Sequence, residues 1–183
     1  MKTSFKKIAL LSALLSGALM AAEVNVGPAT KSTVTAIFKQ EGVAVDTPFT
    51  RFSGKINYDA KNVAGATAVL EVETASLDIG DPAYNAEVAK KSWFDSATHP
   101  KAVFRSTAIK AVSATRFDAT GTLTIKGKVQ TITVPVTVGT APAGNTFDGT
   151  FIISRKAFGI GDPIWEGSID DKVTVKFHLV GGR

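Results

Sequence analysis

Few residues in this chain are of the kinds that do chemistry, and their spacing does not gather them. The two imidazoles are His99, just before Pro100, and His178, in the alternating run KVTVKFHLV near the C-terminus. A structural zinc ion takes a full tetrahedral set of Cys and His ligands, and this chain has no Cys. His99 reads as a loop residue that hydrogen-bonds locally, and His178 as an exposed one. The lack of Cys also removes disulfides, thiol catalysis and thiolate metal sites. Glu71 and Glu73 share one face of a strand-like run, because side chains two apart in a strand point the same way. They read as its solvated side rather than as a paired acid and base. No G-x-S-x-G occurs, and FGIGDP (158–163) lacks the Lys and the following helix of a phosphate-binding loop. Its glycines read as a turn between strands. The expectation is neither an enzyme nor a metal protein, with no cofactor beyond a bound apolar molecule.

The aromatic residues are the informative set. There are 11 Phe, one of which, Phe5, lies in the basic N-terminal segment ahead of an apolar run. The others are too many for local turns to absorb. They fill an ordinary core or they line an apolar pocket, which for a lipid-like ligand is mostly hydrophobic with few polar groups. Small residues such as Ala68, Ala119 and Gly121 fall on the same dry faces as large ones, which leaves room inside a small barrel. The candidate pocket residues are Phe38, Phe49, Phe52, Trp93, Phe94, Phe104, Phe117, Gly121, Leu123, Phe158 and Phe177. Ser106 and Arg155 are the candidates for polar contacts to a ligand.

The N-terminus reads as an export signal. Lys2, Lys6 and Lys7 precede the apolar run IALLSALLSGALM (8–20), and Ala21 and Ala22 offer small residues for cleavage. The run is too short for a membrane-spanning helix, which needs ~20 residues, so residues 1–22 are expected to be a cleaved signal peptide. The remaining domain, 23–183, is then expected in the periplasm. Removing those three lysines from the 21 Lys+Arg leaves 18 against 16 Asp+Glu, so most of the formal charge of +5 belongs to the leader. A nearly neutral chain without a basic cluster is a poor nucleic-acid binder.

The elements that must position these residues alternate with a period of two. In FSGKINYD (52–59), Phe52, Ile56 and Tyr58 share one face. In FDATGTLTIKG (117–127), Phe117, Ala119, Gly121, Leu123 and Ile125 alternate with polar residues, as do the valines of VQTITVPVTV (129–138). KVTVKFHLV (172–180) alternates likewise, and 32–40, 66–79, 102–112 and 146–155 also read as strands. Such alternation marks an antiparallel sheet with one wet face. One segment differs. DPAYNAEVAKKSWF (81–94) reads as a helix, with Asp81 as cap and Pro82 at the first helical position. Tyr84 and Val88, and Glu87 and Lys91, would then meet on its faces. The fold expected is all-β: an antiparallel eight-stranded barrel with one helix inserted between central strands. A sandwich would bury the same faces.

Four stretches resemble the YceI-like, polyisoprenoid-binding proteins of the bacterial periplasm. FTRFSGKINYD (49–59) resembles their F-x-x-F-x-G-x-I-x-[YF]-D segment, and WFDSATHPKAVFRST (93–107) their aromatic-Asp-Pro segment. FDATGTLTIKGKVQTITVPVTV (117–138) resembles their G-x-L-T-I-[KR]-G segment, and ISRKAFGIG (153–161) with DKVTVKFHL (171–179) their R-x-x-F-G-I-G and closing strand. The motifs stand in the family's order and cover most of residues 32–180. Two departures stand out. Where many relatives have Asp-x-x-His-Ser, this chain has Lys31 at the His position, so no role of that histidine transfers. AYNAEVAKKSWF replaces the Arg-Asp-x-His-Leu run of many relatives. The resemblance implies a lipocalin-like barrel around a long apolar ligand such as an isoprenoid chain or a quinone tail. A membrane redox protein is a further partner to be considered, and a dimer is compatible with it. Trp93 or Phe94 would seal the interior, Asp95 would stop the helix and Pro100 would fix the start of the next strand.

Two readings follow. In one, the protein sequesters or carries an isoprenoid-type lipid across the periplasm. In the other, the barrel is filled by its own side chains and an outer face docks a membrane partner, with no catalysis in either. Both place Leu123 inside and Thr122 outside. Leu123→Asp should therefore cost several kcal/mol, because it buries an unpaired charge, while Thr122→Asp should be nearly harmless. Equal melting temperatures for the two variants would contradict the assigned face.

Overall fold

The alternating runs become ten antiparallel strands, described in a computed structural model over residues 23–181. They are β1 (Glu23–Val26), β2 (Thr33–Gln40), β3 (Val43–Pro48), β4 (Phe52–Asn57), β5 (Thr67–Glu73), β6 (Lys101–Ser113), β7 (Arg116–Ile125), β8 (Lys128–Ala141), β9 (Gly144–Ser154) and β10 (Lys172–Val180). A short helix, α1 (Pro82–Val88), lies between β5 and β6. The expected leader lies outside the described residues. All strands join one sheet in the order β1-β4-β5-β6-β7-β8-β9-β10-β2-β3.

The count corrects the expected eight. β1 has four residues, too few to show a period. In β3 the inward residue is polar: Thr47 is fully buried and donates to the Ala36 carbonyl at 2.7 Å, while Val43 and Ala44 are exposed. A reading based on apolar alternation misses a strand whose dry position is a threonine. The stretch 66–79 also proves to be two pieces. β5 ends at Glu73, and a tight turn at Thr74–Ser76 leads into a strap that covers the far end of β3. Asp78 N–H donates to the Pro48 carbonyl at 2.9 Å, Thr50 N–H to the Ser76 carbonyl at 3.0 Å, and Phe49 bridges Leu77.

The sheet curls into a partial barrel rather than closing on itself, since β1 and β3 are its two edges. The turn from β1 to β2 is fixed by Ser32, whose hydroxyl accepts the Val180 N–H at 2.9 Å. The wall has one split. β8 and β9 pair from Ala141↔Gly144 to Val136↔Gly149 and no further. Beyond that rung β8 stays paired to β7 as far as Lys128, and β9 to β10 as far as Ser154. The next rung would fall on Pro135, which has no N–H to give.

Helix α1 is shorter than its periodic pattern. Asp81 caps it as expected, accepting the Ala83 N–H at 2.7 Å. It ends at Val88, so Glu87 meets Lys90 at 2.5 Å instead of Lys91. Asp95 therefore does not stop the helix. It sits in the left-handed region at φ 51° and starts a turn, its carbonyl accepting the Thr98 and His99 N–H groups.

Two glycines on the inner face are covered by aromatic rings from neighbouring strands. A Cβ at Gly121 would lie 2.3 Å from the Arg105 carbonyl and 2.7 Å from the Phe104 ring. A Cβ at Gly149 would lie 2.3 Å from the ring of Phe177, its partner in register. Gly121 thus gives its space to Phe104 and not to a ligand, which corrects its place in the candidate pocket. Adding a side chain there overpacks a filled spot, at about 1–3 kcal/mol. Gly121→Ala should lower the melting temperature by several degrees. At Gly149 the Phe177 ring is the nearest obstacle, so Gly149→Ala combined with Phe177→Ala should cost much less than Gly149→Ala alone. Additive losses in that double variant would show that the ring does not occupy the space.

Candidate ligand cavity

The curled sheet encloses a cavity of about 310 Å³. All ten strands contribute to its wall, and α1 stands at one end through Tyr84, Glu87 and Val88. The size falls at the lower end of the ~300–1,000 Å³ seen for small-molecule pockets. The wall is overwhelmingly apolar because every strand turns its dry face inward.

Its few polar groups are largely committed to the protein. Thr47 is bonded to the Ala36 carbonyl. Arg155 is buried, and its guanidinium donates to three carbonyls: Nε to Asp170 at 3.0 Å, Nη1 to Ile160 at 2.9 Å and Nη2 to Ile169 at 2.7 Å. It therefore pins the loops 156–162 and 165–170 over the helix end of the cavity, instead of offering a free cation to a ligand. Ser106 is not on the cavity wall. Its hydroxyl accepts the Ala68 N–H at 2.9 Å, beside the register shift between β6 and β7. At the opposite end, Tyr58 stacks on Phe117 at 6.1 Å and meets Phe147 edge-on at 5.3 Å. Burial, with the nearby Asp59 charge, holds the Tyr58 phenol above its ordinary pKa, so it stays neutral there.

Of the residues singled out in the sequence, Phe38, Phe49, Trp93, Phe94, Phe104, Phe117, Leu123 and Phe177 line this cavity. Phe52, Gly121 and Phe158 do not. Phe52 packs into the apolar cluster at the start of β4, and Phe158, with no exposed surface, packs behind Trp93 and Leu123. His99 joins a local turn as expected. His178 is half-buried rather than exposed, with Nδ1 2.6 Å from Asp148 on the outer face. Glu71 and Glu73 are on the outer face as expected, bonded to Lys101 and Arg51. The Lys101 hydrogen bond holds Glu71 below the usual carboxylate range.

The segment SWFDSATHP forms the cap of the helix end. Phe94 N–H returns to the Val88 carbonyl, Ser92 accepts the Gly161 N–H at 2.9 Å, and the Phe94 ring meets Phe49 edge-on at 6.3 Å. Trp93 is buried, and its indole N–H has no acceptor among the described residues.

Sequence reasoning missed Tyr84 and Trp165, which line the same end. A signal for them existed. Gly80-Asp81-Pro82-Ala83-Tyr84 and Gly161-Asp162-Pro163-Ile164-Trp165 share one pattern. In both, the Gly has positive φ, 88° and 135°. In both, the Asp side chain accepts the N–H two residues on, at 2.7 Å and 3.1 Å. In both, Pro opens the turn, and an aromatic ring two residues later reaches the cavity.

A family model described as YceI-like domain matches residues 25–181. A UPF0312 protein of Pseudomonas savastanoi pv. phaseolicola is 31% identical over 121 residues, covering 63% of this chain and 63% of its own length. This chain thus spans less than two thirds of that curated relative. The crystal structure of Burkholderia cenocepacia BcnA is 43% identical with a TM-score of 0.78, covering 81% of this chain and 95% of that one. A polyisoprenoid binding domain from Saccharophagus degradans, implicated in plant cell wall breakdown, shares the fold at 19% identity. Its TM-score is 0.72, over 89% of this chain and 98% of that one.

Replacing Arg155 tests its structural role. Arg155→Met keeps the stem but leaves three carbonyls without their donor, at a cost of about 1–3 kcal/mol. Amide exchange in residues 160–170 should accelerate more than exchange in β7. Uniform acceleration across both would mean that Arg155 does not act as a local pin.

Proposed function

The chain belongs to the YceI-like domain family, and from that premise we propose that it binds a long apolar isoprenoid-type lipid, a polyisoprenoid or a quinone tail, inside its cavity. The observation that carries this is the cavity itself: a partly enclosed apolar space walled by all ten strands. Each CH₂ moved from water into it is favourable by about 0.8 kcal/mol. A slender chain matches such a space because it makes contact along the whole wall. The polyisoprenoid binding domain of the same fold supports the ligand class. A barrel filled by its own side chains has no such space, so the accessory-protein reading is not favoured.

The ligand's oxygen-bearing end lies at the α1 end in this reading. There Gln40, Glu87 and the unpartnered Trp93 N–H gather, whereas the Tyr58 end is plugged by stacked rings. The protein works in the periplasm after its leader is removed, keeping an otherwise insoluble lipid dispersed in water. No step of bond making is assigned to it.

Native mass spectrometry of the purified protein should show a bound species of lipid mass, recovered by organic extraction. A ligand bound only to the folded state raises its stability, so the extracted protein should melt lower and recover on reloading. A protein that carries no lipid from its own cell and takes up none when offered would overturn the reading.

A further inference from the structure

The split in the wall between β8 and β9 has an inner and an outer side, and one residue is common to both. Outside, a groove is lined by Ile132, Thr133, Pro135, Thr150, Phe151 and Ile152. Inside, Phe151 also lines the cavity. The split is bounded below by the last rung, Val136↔Gly149, and above by the Lys126 ammonium, which donates to the Gly159 carbonyl at 2.7 Å. Between those limits no ladder bond joins residues 128–135 to 150–154 among the described residues. The partition there is side-chain packing alone.

Both ends of the cavity are held more firmly. At the helix end, the three Arg155 bonds and the Gly161–Ser92 bond tie the loops down. At the other end, Tyr58, Phe117 and Phe147 are stacked. Opening either end breaks hydrogen bonds or ring contacts, whereas opening the split displaces side chains alone, chiefly Phe151 with Ile132 beside it, and side-chain rotamer changes are fast motions. Outside the split, Val129 and Ile152 are exposed apolar side chains, 61% each, on the two strands that flank it. Such residues on the outer face give a hydrocarbon chain a place to rest before it passes inward.

We propose that the β8–β9 split is a lateral portal gated by Phe151, through which a long, linear apolar chain reaches the cavity from the side of the barrel. The proposal rests on the carrier reading above and adds the route.

All-trans-retinol is the probe, an isoprenoid chain that accepts fluorescence from Trp93 and Trp165, both on the cavity wall. The chain has no native Cys, so Thr133→Cys with Ile152→Cys gives one disulfide across the split, if the strands close to within ~7 Å between Cα atoms. With the disulfide formed, stopped-flow association and dissociation should both slow by at least about tenfold, with the dissociation constant within about twofold, as for a gate. Reduction should restore both rates. Where the disulfide does not form, Phe151→Ala serves instead, and it should speed association several-fold whatever its effect on affinity, since Phe151 also lines the cavity. Wild-type rates in the cross-linked protein, or in Phe151→Ala, overturn the portal while leaving the carrier reading intact. Failure of wild-type protein to bind retinol at all, together with no extracted lipid, overturns the carrier reading and the portal with it.

Discussion

A sheet that encloses an unfilled space cannot lean on its own interior, so the backbone ladder must hold the wall. This constraint shapes the rest of the molecule. There is no disulfide to help, because the chain has no Cys. The strands that enclose the cavity are accordingly long: β6, β7, β8 and β9 have 13, 10, 14 and 11 residues. Each adds inter-strand bonds whose net worth is only about 0.5–1.5 kcal/mol but which act together. Where the ladder cannot reach, other groups take over. Ser32 holds the turn by β10, and the strap at 76–78 covers the end of β3. Each is a polar side chain or backbone group used to finish a wall that apolar contact alone would leave loose.

The same constraint explains the paired glycines. An apolar ring pointing straight into the cavity would shrink it. Phe104 and Phe177 instead occupy the space over Gly121 and Gly149, where a Cβ would stand, while also lining the cavity. Glycine within a strand weakens it, and here the cross-strand ring replaces the packing that a side chain would have provided. The cavity volume therefore depends on where glycines sit beneath aromatics as well as on small residues such as Ala68 and Ala119 that line it.

Much of the fold was legible because its signal is local. Phe117, Leu123 and Val134 fell on the buried face as the alternation required, and Asp81-Pro82 marked the start of α1. Most of the cavity wall was legible for the same reason, since inward residues of a curled sheet face one space. What was not legible is set by contacts between distant residues. Nothing local shows that Arg155 will meet the carbonyls of residues 160, 169 and 170 instead of a ligand, or that Ser106 will accept the Ala68 N–H across strands. β3 was lost because Thr47 occupies its dry position. The end of α1 was lost because the periodicity of Glu87 and Lys91 continues past Val88, where tertiary contacts turn the chain toward the cap.

Pro135 shows how one residue can decide between two uses of a wall. By alternation it is merely an outward position among threonines. Its missing N–H matters only because the β8–β9 ladder has run continuously up to Val136↔Gly149 and the next rung falls on it. Continuing the ladder would have given a stronger wall and a more closed cavity. Stopping it leaves side-chain packing alone between inside and outside over that stretch, with Phe151 reaching both the cavity and the outer groove. Under the proposed carrier function, a ligand that comes and goes needs a place where the wall is weaker than elsewhere. That weakness is least harmful in the middle of two long strands, because each stays fully bonded to its other neighbour. The barrel can thus open along one line without losing the register of any strand, which a break at its edges, β1 or β3, would not allow.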